Sequence, residues 1–488
     1  MRLGFQHSYS ALPGQFYARV VPTAVADPKV VVFNARLADE LGLDPGFLAS
    51  EAALMFSANR LPEDADPIAM AYAGHQFGVF VPSLGDGRAL LLGELRGRDG
   101  RVRDVQLKGA GLTPFSRNGD GRAALGPMLR EYLISEAMHA LGVPTSRSLA
   151  VVTTGETVYR RGALAGAVLT RVAASHIRVG TFQYFSARGD GAALRQLLEY
   201  VIARHYPSAR ESAVPALAVL QEVAHRQARL IADWMRLGFI HGVMNTDNMA
   251  VSGETLDYGP CAFMDEYDPR TVFSSIDHGG RYAYANQPAI AQWNLARFAE
   301  TLLPLIDCDT DKAVAMASAA LESFIAQFDT LFLTALTAKV GLCTEMEGDV
   351  ELIRQLLATM QRSRADLTLT FRRLATVAEH PAEVASLRQL FHGDAGLDEW
   401  LSQWRQRLTR DPQTAAERAR SMRAANPAFI PRNHRVQAAL DAAEGGDYQP
   451  FEKLLAILQR PYDDQPEFSE YLRPPQPAER VLQTFCGT

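Results

Sequence analysis

The strongest constraint on the fold is a change of texture within the chain. Between residues 77 and 172, short β-type runs alternate with turns rich in Gly and Asp; beyond residue 181, apolar residues recur at helical spacing almost to the end. Residues 77–82, 89–95 and 102–108 are three such runs, separated by turns at 83–88 and 96–101, and predict an antiparallel meander. A helix with clear ends follows, opened by Gly126-Pro127 and closed by Gly142 and Pro144. Runs at 148–153 and 167–171 complete a small twisted sheet. Helix-length segments then cover 191–205, 214–237, 288–339, 351–379, 398–409, 414–424 and 434–458. In the second of these Leu217, Leu220, Val223, Ala224, Leu230, Ile231 and Trp234 repeat at helical spacing. The pattern predicts an α+β protein: a small antiparallel sheet carrying one helix, joined to a larger helical body.

At 488 residues the chain is too long for one compact core. Residues 1–66 are broken by prolines and show one helical pattern, at 34–41 with Asn34 as its cap; they read as an extension wrapping the body. Residues 67–180 read as the sheet unit, 181–340 as the helical unit, and 341–488 as further helices with an extended tail. Acidic residues number 55 and basic residues 49, a net charge of −6. That balance argues against a general binder of nucleic acid or of membrane surfaces. Cys261, Cys308, Cys343 and Cys486 are too few and too scattered for a disulfide framework or a zinc site. The first residues lack an apolar signal core, and no run of eighteen apolar residues occurs, so a cytoplasmic location is expected.

The residues that carry chemistry gather just after the long helix, in His241-Gly-Val-Met-Asn-Thr-Asp-Asn248 and Asp257-Tyr258-Gly259. Enzymes of the kinase type build their metal site from His-x-Asp-x-x-x-x-Asn followed by Asp-Phe-Gly. His241 and Asn248 keep that spacing, and Asp257 supplies the second metal ligand. Val243, however, occupies the place of the catalytic Asp, and a carboxylate reappears only at Asp247. Upstream, Val105-Gln-Leu-Lys108 has the form of the strand whose lysine holds nucleotide phosphates. Glu131, on the following helix, is the candidate partner of Lys108, ahead of Glu136. Gly85 and Gly87 permit positive φ and close approach of backbone N–H groups to a phosphate; alone they read as an ordinary hairpin turn, but they stand one hairpin before the Lys108 strand. Arg171 and Arg178 suit phosphate oxygens but read individually as surface charges.

Tyr72-Ala-Gly-His-Gln-Phe-Gly78, Gln106-Leu-Lys-Gly-Ala-Gly111, Ser116-Arg-Asn-Gly-Asp-Gly-Arg122 and His241-Gly-Val-Met-Asn-Thr-Asp-Asn248 together resemble the SelO (selenoprotein O) family of pseudokinases, over most of the chain. The resemblance implies a two-lobed protein-kinase-like fold that binds ATP in reversed orientation and transfers AMP to Ser, Thr or Tyr hydroxyls of proteins. It implies that Lys108, paired with Glu131, meets the outer phosphates together with Arg171 and Arg178. Gly85, Gly87 and Arg88 would line a loop over the nucleotide, with Asp120 and Gly121 also touching it. Asn248 and Asp257 would hold Mg²⁺ or Mn²⁺, and Asp247 would be the base. The family context suggests redox-homeostasis proteins as substrates. Relatives carry a cysteine or selenocysteine near the end, as Cys486 does, but residues 269–280 contain no cysteine to pair with it. Cys261 reads by default as a buried core thiol.

Val243 separates the chemical readings. A positioned general base contributes roughly 10²–10⁴-fold in rate, so its loss requires a substitute. Asp247, four positions on, need not serve a hydroxyl aimed at the γ-phosphorus; transfer at the α-phosphorus, with pyrophosphate departing, is what the resemblance implies. Transfer of the γ-phosphoryl group by way of Asp247, and a non-catalytic ATP-binding protein, stay open on the residues alone.

Overall fold

The computed structural model describes residues 1–160 and 162–485; the terminal Cys486 lies outside them. The protein is α+β. Its strands are β1 (Tyr17–Arg19), β2 (Lys29–Phe33), β3 (Ile68–Met70), β4 (Gly74–Gln76), β5 (Val79–Val81), β6 (Ala89–Arg96), β7 (Val102–Lys108), β8 (Ala123–Ala124), β9 (Arg147–Tyr159), β10 (Ala163–Ala173), β11 (Phe239–Ile240) and β12 (Ala262–Phe263). The main sheet is antiparallel in the order β1-β3-β6-β7-β10-β9-β2, with β8 added to β10. Both of its outer strands come from the first 66 residues, so the extension is part of the sheet.

The apolar runs of β6, β7, β9 and β10 follow from burial on both faces. Leu90, Leu92, Leu107, Val152 and Val168 face one core, shared with helices α1 (Ala35–Glu40) and α2 (Pro45–Phe56). Leu91, Val151 and Leu169 face the other, beneath helix α3 (Leu125–Ala140) with its Leu129 and Leu133. The remaining helices are α4 (Val179–Ser186), α5 (Gly191–His205), α6 (Pro215–Leu237), α7 (Gln287–Ile306), α8 (Thr310–Lys339), α9 (Asp349–Ser363), α10 (Leu367–Glu379), α11 (Val384–Leu390), α12 (Ala395–Leu408), α13 (Ala415–Ala425), α14 (Asn433–Glu444) and α15 (Gln449–Leu458). Helix α6 packs on α7 and α8, while α14 and α15 return to pack on α3, where Tyr132 meets Phe451. The tail runs back along the body: Thr484 N–H donates to Phe273 O at 2.7 Å, and Ser275 N–H to Thr484 O at 3.0 Å.

Several expected boundaries change for local reasons. Residues 77–82 do not join the meander; Phe77 (φ 51°) and Gly78 (φ 85°) make a two-residue mirror-image turn that folds β5 back on β4. The neighbour of β6 on that side is β3. Helix α2 forms where Pro45-Gly46 reads as a break, because Asp44 caps it, accepting from Gly46 N and Phe47 N, and Pro45 suits its first position. The 288–339 segment divides at Asp307–Asp309, where Asp309 caps α8. The 351–379 segment divides at Arg364 (φ 53°) and the cap Asp366, and 434–458 at Gly445-Gly446.

Candidate functional site

Strand pairing brings the first two cations together. Lys108 ends β7, opposite Leu169 of β10, and Arg171 lies two residues further along the same strand. Helix α3 crosses this face and presents Glu131, which is buried. Its Oε2 accepts from Lys108 Nζ at 2.7 Å and its Oε1 from Arg171 Nε at 2.7 Å. Asp257 completes the group: its Oδ1 accepts from Arg171 at 3.0 Å and from the Lys108 ammonium. Burial would lift the Asp257 carboxyl, but Lys108 and Arg171 outweigh it and hold the group well below the usual carboxylate range. Asp257 has φ 69°, a left-handed conformation that costs a non-glycine residue about 1 kcal/mol or more. The surrounding ion pairs must therefore over-determine its position.

Arg178, directly before α4, is a third buried cation. Its guanidinium stands 4.2 Å from the centre of the Tyr72 ring and 3.4 Å from Asp86 Oδ1. Asp86 is itself buried and accepts from Met70 N at 3.1 Å and Gln106 Nε2 at 3.2 Å. The turn at 85–87 thus holds an arginine by its aspartate. Its glycines have a packing reason: a Cβ on Gly85 would lie 2.2 Å from the Phe115 ring, and one on Gly87 2.9 Å from Phe115 O. Only Gly85 of the two has positive φ. The loop that presses on them also carries Gly121, whose Cβ would lie 2.2 Å from Gly111 C, and Asp120, which receives a two-pronged contact from Arg160 at 2.8 and 3.0 Å.

The third part is the loop between β11 and β12. His241 is buried, stacks on Trp234 at 5.3 Å, and lies 3.3 Å from Leu256 O through Nε2. Burial keeps its imidazole neutral by lowering its pKa, so it braces the loop. A 3-10 turn, Thr246–Asn248, then sets Asp247 and Asn248 side by side. Asn248 Nδ2 donates to Val243 O at 3.0 Å, which leaves its carbonyl oxygen for another partner. Asp247 is buried; Oδ2 accepts from Gln76 Nε2 at 3.3 Å, while Oδ1 has no hydrogen-bond partner among the described residues. Burial raises its pKa to about 6. Val243 is apolar and buried, and stands beside both on the cleft wall.

The 72–78 segment straps this loop down. His75 N–H donates to Thr246 Oγ1 at 2.7 Å and Phe77 N–H to Asn245 Oδ1 at 3.0 Å. Tyr282 OH also donates to Asn245 Oδ1, at 2.7 Å, and Thr246 Oγ1 to Gln183 Oε1 at 2.6 Å. Gly74 is required here, because a Cβ would lie 2.7 Å from Asp247 Oδ1.

These parts line one cleft of ≈ 730 Å³. Gly85, Gly87, Arg88, Lys108, Asp120, Gly121, Arg171, Arg178, Asp247, Asn248 and Asp257 all reach its wall. Glu131 does not; it stands behind Lys108 and Arg171 and holds both. Asp86, Gln76 and Asn245 line the same cleft without having been singled out in the sequence. The signal for the last two was present in the Tyr72–Gly78 and His241–Asn248 motifs, but only their contact assigns them a role. Asp86 sits between two glycines and belongs to no motif of its own.

Could the centre hold a divalent ion? Among the described residues no group of three His, Cys, Asp or Glu gathers for that purpose. Asn248 and Asp257 offer a carbonyl and a carboxylate oxygen on the same cleft, the hard donors that Mg²⁺ or Mn²⁺ takes when substrate phosphates and water complete the shell. The donor set fits. Cys261 is buried in the core, its thiol pushed up by burial to about 12, as the default reading expected.

Cations beside oxygen donors in one cleft are the kind of groups that can bind polyphosphate oxygens. The chain matches the family model described as protein adenylyltransferase SelO over residues 1–459. It is 60% identical over 485 residues to the protein nucleotidyltransferase YdiU of Rhizobium rhizogenes, covering 99% of this chain and 97% of that one. It is 62% identical over 486 residues to the protein of the same name from Bradyrhizobium sp., covering 99% of each. This chain belongs to the protein adenylyltransferase SelO family.

Proposed function

We propose that the protein transfers AMP from ATP to a hydroxyl group of another protein and releases pyrophosphate. Family membership supports the reaction class. The observation that carries the chemistry is the pairing of Val243 with Asp247. The usual position of the base is aliphatic, while a buried carboxylate with one oxygen lacking a hydrogen-bond partner among the described residues lies on the cleft wall nearby.

In this reading Asp247 takes the proton of a Ser, Thr or Tyr hydroxyl as its oxygen bonds to the α-phosphorus. The bond from that phosphorus to the oxygen bridging to the β-phosphate breaks, and its electron pair leaves with pyrophosphate. Lys108, Arg171 and Arg178 face the charge that builds on the outer phosphates. ATP bound in reversed orientation, with its outer phosphates at Lys108, brings the α-phosphorus toward Asp247. Asn248 and Asp257 would hold the Mg²⁺ or Mn²⁺ ion, which when bound neutralises phosphate charge and orients the leaving group. Glu131 keeps both cations in place. The sheet unit and the helical body, with the cleft and its loop between them, are consistent with a kinase-like two-lobed arrangement divided near residue 180.

The test is incubation with Mg²⁺ or Mn²⁺ and ATP labelled at the α or the γ position. Protein-bound label from α-labelled ATP alone is expected. Label from the γ position alone would replace this reading with phosphoryl transfer, and none from either with a non-catalytic nucleotide binder.

A further inference from the structure

The β4–β5 hairpin has an inner edge and an outer edge. The inner edge is fastened to the catalytic loop through His75 N–H and Phe77 N–H. Since His75 N–H points at the loop, the pair His75–Phe80 is of the non-hydrogen-bonded kind, and Phe80 turns its own N–H and C=O away from β4. The outer edge therefore offers backbone groups to a further strand. Val79 is 69% exposed and Phe80 37% exposed on this hairpin, and Ile276, 51% exposed, stands at the cleft rim.

Beside the hairpin lies a cluster of cations and rings. His75 packs against Phe80 at 5.0 Å and Trp293 at 5.2 Å. The guanidinium carbons of Arg281 and Arg297 stand 4.8 and 5.1 Å from the Trp293 ring centre. Arg297 pairs with Glu300, but its Nε, like that of Arg281, is buried without a hydrogen-bond partner among the described residues. Arg281 forms no ion pair with a carboxylate among those residues. The nearby Asp277 instead accepts from the backbone N–H groups of Arg281 and Tyr282, at 2.9 and 2.7 Å. Arg188 adds a further cation where the hairpin ends, donating to Pro82 O at 3.1 Å. In a chain with net charge −6, a cationic patch next to the catalytic loop runs against the overall balance.

We propose that this outer face is where the protein to be modified docks, and that it takes an extended, acidic segment as an added strand on β5. The inference rests on the transfer reading above. The exposed edge supplies main-chain hydrogen bonds, Val79 and Phe80 supply apolar contact, and Arg281 and Arg297 select carboxylates flanking the hydroxyl. A strand added to β5 would lie about 10 Å from β4, two strand spacings, so a hydroxyl a few residues beyond the paired stretch reaches the cleft.

The test uses the full chain, α-labelled ATP and two 15-residue peptides with one central serine, flanked by glutamates in one and by lysines in the other. The acidic peptide is expected to be modified with kcat/KM about tenfold higher or more, the effect of one or two charge-assisted contacts. Arg281→Glu should erase or invert that preference, and Phe80→Pro, which removes the outward N–H, should lower transfer to both peptides. Equal use of the two peptides, or an unchanged preference in Arg281→Glu, would overturn the docking surface. So would absence of label on both peptides while proteins of a cell extract are labelled, and the transfer reading would then stand. Absence of label on everything would remove that reading and this inference together.

Discussion

Gly74 and Asp247 are packed so closely that a methyl group on the glycine would lie 2.7 Å from the carboxylate oxygen that lacks a partner. The strap and the proposed base are therefore set by one contact. Gly74→Ala should displace the carboxylate while leaving the core intact. Transfer is expected to fall about 10²-fold, the scale of a 1 Å misplacement, with little change in Tm. Labelling kinetics beside a thermal melt check it.

Asp247→Asn removes the proton acceptor and keeps the shape. Transfer should drop by roughly 10²–10⁴-fold with ATP affinity retained. Equal rates in the two proteins would exclude the assignment.

The pH profile follows from the burial of Asp247, which raises its pKa to about 6. A base works in its ionised form, so activity should be present above that value and be lost as pH falls through it. An ordinary exposed aspartate would hold activity down to about pH 4. Rates measured between pH 4.5 and 8 in α-labelled ATP distinguish the two.

Glu131→Gln leaves Lys108 and Arg171 facing Asp257 without their shared buried partner. A loss of about 3 kcal/mol in stability is expected, as for a broken buried ion pair, together with a higher KM for ATP. Calorimetry and steady-state kinetics read the two effects separately.

At Asp257 the backbone and side chain make opposing demands. Asp257→Ala and Asp257→Gly should both abolish transfer, but the glycine variant accepts φ 69° without strain. It should melt higher than the alanine variant, by the equivalent of about 1 kcal/mol. Identical melting temperatures would show that the left-handed conformation stores nothing.

Much of this centre was legible because its chemistry depends on spacing. Lys108, Glu131, Asn248 and Asp257 sit in short motifs whose intervals survive folding, and the lysine and glutamate do meet. What could not be read were relationships between distant segments. Nothing in Tyr72–Gly78 announces that its backbone will grip Thr246 and Asn245. The glycines at 85 and 87 also pack against the ring and carbonyl of Phe115, a contact with a distant loop that their spacing does not announce. Helix α4 has no periodic signature because an eight-residue segment beginning at Val179 is too short for one. The long apolar segments concealed their breaks, since Asp309 and Asp366 act as caps only once a turn precedes them.

The arrangement of the main sheet also bears on how the chain acquires its shape during synthesis. Strand β2 waits for β9, more than a hundred residues later, before its edge is covered, and the side of α3 that meets α14 and α15 stays open until those helices have left the ribosome. Such distant closures make for slow folding, and they leave half-made sheets with bare edges. Deleting the first thirty-odd residues would strip both outer strands, so the nascent protein should depend on chaperones early and tolerate N-terminal truncation poorly.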